Sequence, residues 1–421
     1  MEKSGKFRLT SLERNWILYD VGNSAFVLMV ATLIPIFFNA LAEAGGLSSV
    51  EYLAYWGYAS SAVTVITAVL SPILGTVADT KGFKKPIFIL CVFVGIVGCC
   101  AMGAASAWLP FLVIFVIAKV GFSGSLVFYD SMLSDVTTPE RMDEVSSRGY
   151  AWGYIGSCVP FVVCLGLVLG AGSIGISQMT ALNLALLLTA AWWLLTTLPL
   201  LKSYKQLHYV EVEKHAVRQS FARIGHTLRH LPEDKQVFWF LLAFFCYIDG
   251  VYTIIDMATA YGTALGLDTT GLLLALLVTQ IVAFPSALIF GRLSNRYPSA
   301  KLIPVCIAAY AGIAVFAFFL TQQWQFWVLA VIVGMFQGGV QALSRSHFAK
   351  IIPPEKSGEY FGLFDICGKG ASFLGTMIVS VGSQLTGSAN VGVGSLIVLF
   401  VVGFVLFRVS CKAGVITDSV N

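Results

Sequence analysis

Charged side chains inside long apolar stretches are the residues of this chain with the most capacity for chemistry. Lys119 lies within the stretch 109–133, Asp249 within 237–263, and Asp256 two helical turns beyond Asp249 on the same face. Asp20, with Asn23 and Ser24, places a carboxylate and two hydrogen-bonding side chains on the inner half of the stretch 15–41. An ionised group at mid-bilayer costs roughly 2.5–3.5 kcal/mol or more, so it is retained where it faces a partner or a water-filled cavity. An interior that offers an ammonium and carboxylates suits a zwitterion: the lysine takes the solute's carboxylate, and an aspartate, Asp249, takes its amine. Tyr252 and Gln280 could add hydrogen bonds, although tyrosine in a span is more often an interfacial or packing residue. Asp365 and Lys369 stand four residues apart and share one helical face. They either touch the solute or neutralise each other as a buried structural pair.

The elements that must position these groups follow from composition. With 57% hydrophobic and 11% charged residues and a mean hydropathy of +0.83, the chain is too apolar for a water-soluble globule. Stretches long enough to span a bilayer lie near 15–41, 52–78, 86–105, 109–133, 149–171, 177–200, 237–263, 269–291, 302–320, 324–346, 358–384 and 390–408. The expected fold is an all-α membrane protein of twelve transmembrane helices in two six-helix, pseudo-symmetric bundles. Residues 1–200 form the first bundle, 201–236 a cytoplasmic amphipathic linker, and 237–421 the second bundle with a short tail. Within the linker Val217, Phe221, Ile224, Leu228 and Leu231 follow a helical spacing expected to lie on the membrane surface.

Every Lys and Arg except Lys119 and Lys369 falls in the tails or in loops on one side of this plan. The positive-inside rule therefore puts both termini in the cytoplasm, and the first span itself would direct insertion into the cytoplasmic membrane. The nine cysteines offer no pair in an outer loop, and no His/Cys cluster lies within the spans, so neither disulfides nor a metal site is expected. The net charge of +4 follows from the inner loops and implies no nucleic-acid partner.

A duplication runs through the plan. GTVADTKGFKK, from Gly75 to Lys85, is echoed by GRLSNRYPSAK, from Gly291 to Lys301, a shift of 291 − 75 = 216. Thr138-Pro139-Glu140 recurs as Pro353-Pro354-Glu355, a shift of 215. Two halves that repeat one order of helices and loops are the architecture of transporters that rock one bundle against the other.

The glycine, the aspartate four residues on, and the following glycine and basic cluster resemble the signature loop of the major facilitator superfamily. The first span, with Tyr19-Asp20 and Asn23-Ser24-Ala25-Phe26, and the segment FYDSMLSDV resemble the vacuolar amino-acid effluxers and their bacterial relatives within it. The resemblance implies that spans one, four, seven and ten line a central cavity, and so places Lys119, Asp249 and Asp256 there. Gly75 would allow close helix approach. Asp79 would pair with basic groups or helix ends, and Asp130 would join Lys84 or Lys85 and Asp79 in one latch. The alternative is that these charges only anchor the loop in the headgroups. In the second half Asn295 replaces the aspartate and Arg345 stands at the position of Asp130, since 345 − 130 = 215. A weaker second latch, or one of other polarity, is expected there.

The resulting expectation is a monomeric secondary transporter that moves a small polar solute, an amino acid by resemblance, by alternating access. No nucleotide-binding loop, catalytic residue or cofactor is expected, so a gradient supplies the energy. Asp20, Asp249 and Asp256 are the candidate proton carriers, because a carboxylate in a closing cavity loses its water. The alternative cargo is another organic anion or a sugar-like solute.

Overall fold

The computed structural model describes residues 7–211 and 224–418, with the side chains of residues 49–50, 52–53, 259–260, 263–264, 269–270, 273, 369–373 (and so of Lys369) and 415–418 outside the described set. Fifteen α-helices are described: α1 (Ser11–Ala31), α2 (Leu33–Ala44), α3 (Ser49–Ala78), α4 (Lys84–Met102), α5 (Trp108–Ser131), α6 (Leu133–Val136), α7 (Met142–Leu169), α8 (Gln178–Ser203), α9 (Lys235–Ala264), α10 (Thr269–Leu293), α11 (Ser299–Phe318), α12 (Gln323–Ile351), α13 (Ser357–Thr386), α14 (Ala389–Gly394) and α15 (Ile397–Asp418). Among the described residues, eleven helical stretches are long and apolar enough to cross a membrane. The remaining expected span coincides with α13, whose 30 residues extend about 45 Å.

Local chemistry explains where the helices depart from the expected stretches. The first span divides at Thr32, because Pro35 has no N–H and its ring disfavours the carbonyl four residues back. The freed Thr32 hydroxyl donates to the Leu28 carbonyl (2.6 Å). Helices α7 and α12 run several residues past the apolar stretches expected at 149–171 and 324–346. Their polar ends are not loops. Asp143, Glu144, Ser146, Arg345 and Ser346 are buried where the two halves meet, and burial permits helix to continue through a polar sequence.

In the first half α1 packs on α7 and α8, and α4 on α5 and α8; in the second, α9 packs on α13 and α15, and α10 and α11 on α12. The halves meet along two seams, α3 with α13 and α7 with α10 and α12. Both seams reach the face that carries the chain ends, hereafter the terminal face.

Part of the connection between the halves, where the surface helix is expected, lies outside the described residues. After α8, residues 204–211 run as an extended strap across the terminal face, with a parallel bridge between Thr80 and Val210. Residues 224–230 are helical, with Ile224 buried and Leu228 exposed; Val217 and Phe221 lie outside the described residues.

Candidate functional site

The terminal face is closed by two related clasps. On the first seam α3 and α13 approach until a Cβ on Gly75 would lie 2.1 Å from the Gly358 carbonyl oxygen, so only glycine fits. The Asp79 carboxylate then accepts from the backbone N–H groups of Gly358 (2.7 Å) and Glu359 (2.8 Å), at the first turn of α13. Those N–H groups have no partner inside their own helix, and the positive end of the helix dipole favours an anion there. Burial pushes the Asp79 carboxyl up to about 6, against the pull of Lys84 and of the two N–H groups. Lys84 Nζ lies 3.6 Å from Asp79 and donates to the Ser357 hydroxyl (2.8 Å), again across the halves. The expected latch of Gly75, Asp79 and Lys84 is therefore a direct cross-half contact.

The second seam repeats the plan with other groups. Asn295, at the position of Asp79, donates to the Glu144 carboxylate (2.8 Å), and Glu144 is the counterpart of Glu359, since 359 − 144 = 215. Gly291 packs on Ser147. Lys350 pairs with Asp143 (2.6 Å), which also accepts from the Ser346 hydroxyl (2.6 Å). An amide cannot hold a helix end by charge, so here the carboxylate sits on the helix and the donor on the loop.

Two expected members of the first latch sit elsewhere. Asp130 does not join Lys84 and Asp79; it pairs with Arg345 across the halves at 2.9 Å. The two occupy equivalent positions of the duplicated halves, and equivalent positions near a pseudo-twofold axis face each other. Lys85 reaches only the Tyr204 carbonyl (3.5 Å) in its own half. The second carboxylate beside Lys84, after Asp79, is Asp135, at 3.9 Å.

Above the clasps lies a buried floor. Arg345, 2% exposed, donates through Nε to the Ser146 hydroxyl (2.9 Å) and through Nη2 to its carbonyl (3.0 Å). Its Nη1 also lies 3.9 Å from Asp20. Asn23 supports Asp20, donating to the Tyr19 carbonyl (3.2 Å) and approaching Asp20 Oδ1 (3.5 Å). Asn23 is thus a positioning residue in this arrangement, and Ser24 lies next to it beside Gly153.

Higher in the interior, Lys119 of α5 lies over the rings of Phe122 (4.7 Å) and Phe26 (5.9 Å) and interacts electrostatically with Asp256 of α9 in the other half. Asp256 is exposed. Tyr252, one turn below, interacts electrostatically with Asp130, Asp256, Asp365 and Arg345.

Asp249 does not face Lys119. It is fully buried against α13, accepting from the Gly375 N–H (2.9 Å) and the Thr253 hydroxyl (3.3 Å), because in this packing its side of α9 is the seam with α13. Gln280 lines a separate, mainly apolar cavity within the second half, beside Thr253, Tyr261 and Gln337. Asp365 reaches across to the Ser71 hydroxyl (2.7 Å), so it joins the seam between the halves. Its expected partner, the Lys369 side chain, lies outside the described residues.

Residues 11–414 match the profile of the family described as "Vacuole effluxer Atg22 like". This chain belongs to that family. An MFS-type transporter of Bacillus subtilis (strain 168), YxiO, is 42% identical over 404 residues, covering 95% of this chain and 94% of the relative. The fold resembles the human organic anion transporter MFSD10 (TETRAN), with a TM-score of 0.71 at 15% identity over 94% of this chain and 99% of that one. It also resembles FucP in its outward conformation, with a TM-score of 0.70 at 16% identity over 95% and 97% of the two chains. The Atg22-like chain is a major facilitator transporter embedded in a membrane and is not an enzyme.

In this Atg22-like transporter the strap after α8 was not legible in hydropathy, because its contacts are polar. Fully buried Asp135 accepts from the Tyr204 hydroxyl (2.5 Å) and from the His208 (2.9 Å) and Leu207 (3.2 Å) N–H groups, with His208 Nδ1 at 3.0 Å. Val210 donates to the Asp79 carbonyl (2.7 Å), and Gln206 takes the Gly82 N–H (3.0 Å) where that glycine turns the loop at φ +80°. Asp135→Asn is expected to release the strap. Each charged hydrogen bond lost is worth about 1.5–3 kcal/mol, so amide exchange at Leu207, His208 and Val210 should quicken roughly 10- to 100-fold. Unchanged exchange at these three amides would show that Asp135 does not hold the strap.

Proposed function

We propose that this transporter moves a small zwitterionic solute, an amino acid, across the cytoplasmic membrane by alternating access coupled to protons. The observation that carries the reading is that Lys119, on the first half, and Asp256, on the second, are opposite charges near enough to interact electrostatically. The ammonium suits the solute's carboxylate, and Asp256, rather than Asp249, suits its amine. The description of the matching family as a vacuole effluxer is consistent with such a cargo.

The bundles 1–200 and 237–421 would rock as units about the seams, with the terminal face on the cytoplasmic side as the basic loops require. In the state described here the terminal face is shut by the clasps of Asp79 and Asn295. Proton coupling is supported by charge balance on the floor. Two carboxylates, Asp20 and Asp130, share one guanidinium, and a proton would neutralise the surplus.

A thermal-shift screen of the purified protein against amino acids, sugars and organic acids identifies the ligand, since saturation at 100 times Kd stabilises by roughly 2.7 kcal/mol. Lys119→Met and Asp256→Asn should then each cost on the order of 1.5–3 kcal/mol, or roughly 10- to 100-fold in affinity. An analogue without the amine should be insensitive to Asp256→Asn while remaining sensitive to Lys119→Met. If such an analogue binds the wild type as tightly as the zwitterion does, the cargo is an organic anion. If neither substitution changes binding of any ligand, the paired charges are structural and the reading fails.

A further inference from the structure

The seat of Arg345 is built by one half only. Trp16 and Asp20 come from α1, Tyr129 and Asp130 from α5, Ser146 and Tyr150 from α7, whereas Arg345 arrives on α12 of the other half. Its guanidinium carbon lies 4.3 Å from the ring centre of Tyr150, 4.7 Å from that of Trp16 and 5.4 Å from that of Tyr129. Aromatic faces at such distances attract a cation, and the two carboxylates supply the opposing charge.

Several of these walls are held together without the arginine. The Trp16 indole N–H donates to the Tyr129 carbonyl (2.9 Å), their rings stack with centres 4.3 Å apart, and Asn23 supports Asp20 from behind. The cage also has capacity that Arg345 does not use. Asp20 Oδ2 and the Tyr129 hydroxyl are buried there with no hydrogen-bond partner. That carboxylate oxygen stands 3.9 Å from Arg345 Nη1, an ion pair without a hydrogen bond, and so has room for a closer donor.

We propose that this cage is a binding site for an organic cation, an alkylammonium or guanidinium group, and that Arg345 fills it as an internal stand-in while the terminal face is shut. When the halves part at that face, Arg345 leaves with the second half. The cage is then left with two carboxylates and three rings in surroundings that suit a cation. Withdrawing a charged partner from buried carboxylates is costly unless another cation enters, so separation of the halves and entry of a cationic group favour each other. That the entering group belongs to the cargo rests on the transport reading above; the cage itself does not.

The test uses the purified full-length protein carrying Arg345→Ala, in which the cage is vacated whatever state the halves adopt. The probes are ethylguanidinium and propylammonium chloride, with propionamide as a neutral control and sodium chloride to match ionic strength. The expected result is a saturable rise in unfolding temperature with both cations and none with propionamide, at concentrations at least 10-fold below any effect on the wild type. Adding Asp130→Asn or Trp16→Leu to the variant should remove it. Arg345→Met is assayed alongside. If Arg345→Ala folds only when a cationic probe is present, that rescue counts as binding.

The proposal is overturned if neither variant responds to the cations, if the wild type responds equally, or if the response survives loss of Asp130 and Trp16. A cage that binds the probes in a protein that transports no amine keeps the site and removes the cargo assignment. Transport of an amine by a protein whose vacated cage binds nothing removes the site and leaves the transport reading intact.

Discussion

Gly75→Val is expected to prevent closure of the terminal face and to abolish transport. A Cβ at this position would lie 2.1 Å from the Gly358 carbonyl oxygen and 2.7 Å from its carbonyl carbon, both backbone atoms that no rotamer change can move. The helices must therefore separate, and the Asp79 carboxylate loses its two N–H donors on α13. At about 1.5–3 kcal/mol for each hydrogen bond to a charged group, the closed state falls by roughly 3–6 kcal/mol. The upper end of that range is enough to invert a balance of conformers that favoured closure 100-fold, because a swing from 99:1 to 1:99 needs about 5.5 kcal/mol, and the lower end brings the two states level. Spin labels at the exposed residues Lys81 and Glu355, on opposite sides of the seam, report the outcome as a longer distance. An unchanged distance distribution would show that α3 and α13 do not need this contact.

Asp130→Asn is expected to have the second largest effect. It removes the carboxylate 2.9 Å from Arg345 and leaves Asp20, at 3.9 Å, as the one charge opposing a buried guanidinium. Breaking a buried pair from one side costs about 3–5 kcal/mol, and the remaining carboxylate places this case near the lower figure. The closed-to-open ratio at the terminal face should fall roughly 100-fold, read with the same pair of labels. Asp20→Asn should do less, and Lys85→Ala should do little, since Lys85 reaches only a carbonyl in its own half. Equal effects of Asp130→Asn and Lys85→Ala would remove the floor pair from the gating machinery.

These two positions mark how far the site could be read in advance. Gly75, Asp79 and Lys84 stand out because a loop that occurs twice, with glycine and acid at fixed spacing, has a local role that survives the loss of all tertiary detail. The partner of Asp130 is a different matter. Spacing along a helix tells which residues share a face, but not which helix that face meets, and 215 residues separate Asp130 from Arg345. The duplication held the clue, because equivalent positions of two pseudo-symmetric halves can meet on their common axis.

Asp249 and Asp256 show the same limit from the other side. They lie two turns apart on one face of α9, yet one is sealed against α13 and the other is exposed. Depth in the membrane was readable for both, whereas exposure depended on how α13 crosses α9. Asp135 and the strap it holds were hidden for another reason. Residues 204–211 carry no periodic pattern, and their placement rests on one buried carboxylate collecting backbone donors that only folding brings near it.

The sequence by itself therefore determined the membrane class, the order of the spans, the duplicated halves and the loop that forms the clasp. Those properties follow from hydropathy, charge bias and repetition, each a sum over neighbouring residues that needs no partner. Only the tertiary structure decided that Asp130 answers Arg345, that Asp249 is sealed against α13, and that Trp16, Tyr129 and Tyr150 surround the Arg345 guanidinium. Each of those is a meeting of side chains from different helices, and the rotation and crossing of packed helices, which decide such meetings, are set by interlocking surfaces along their whole length.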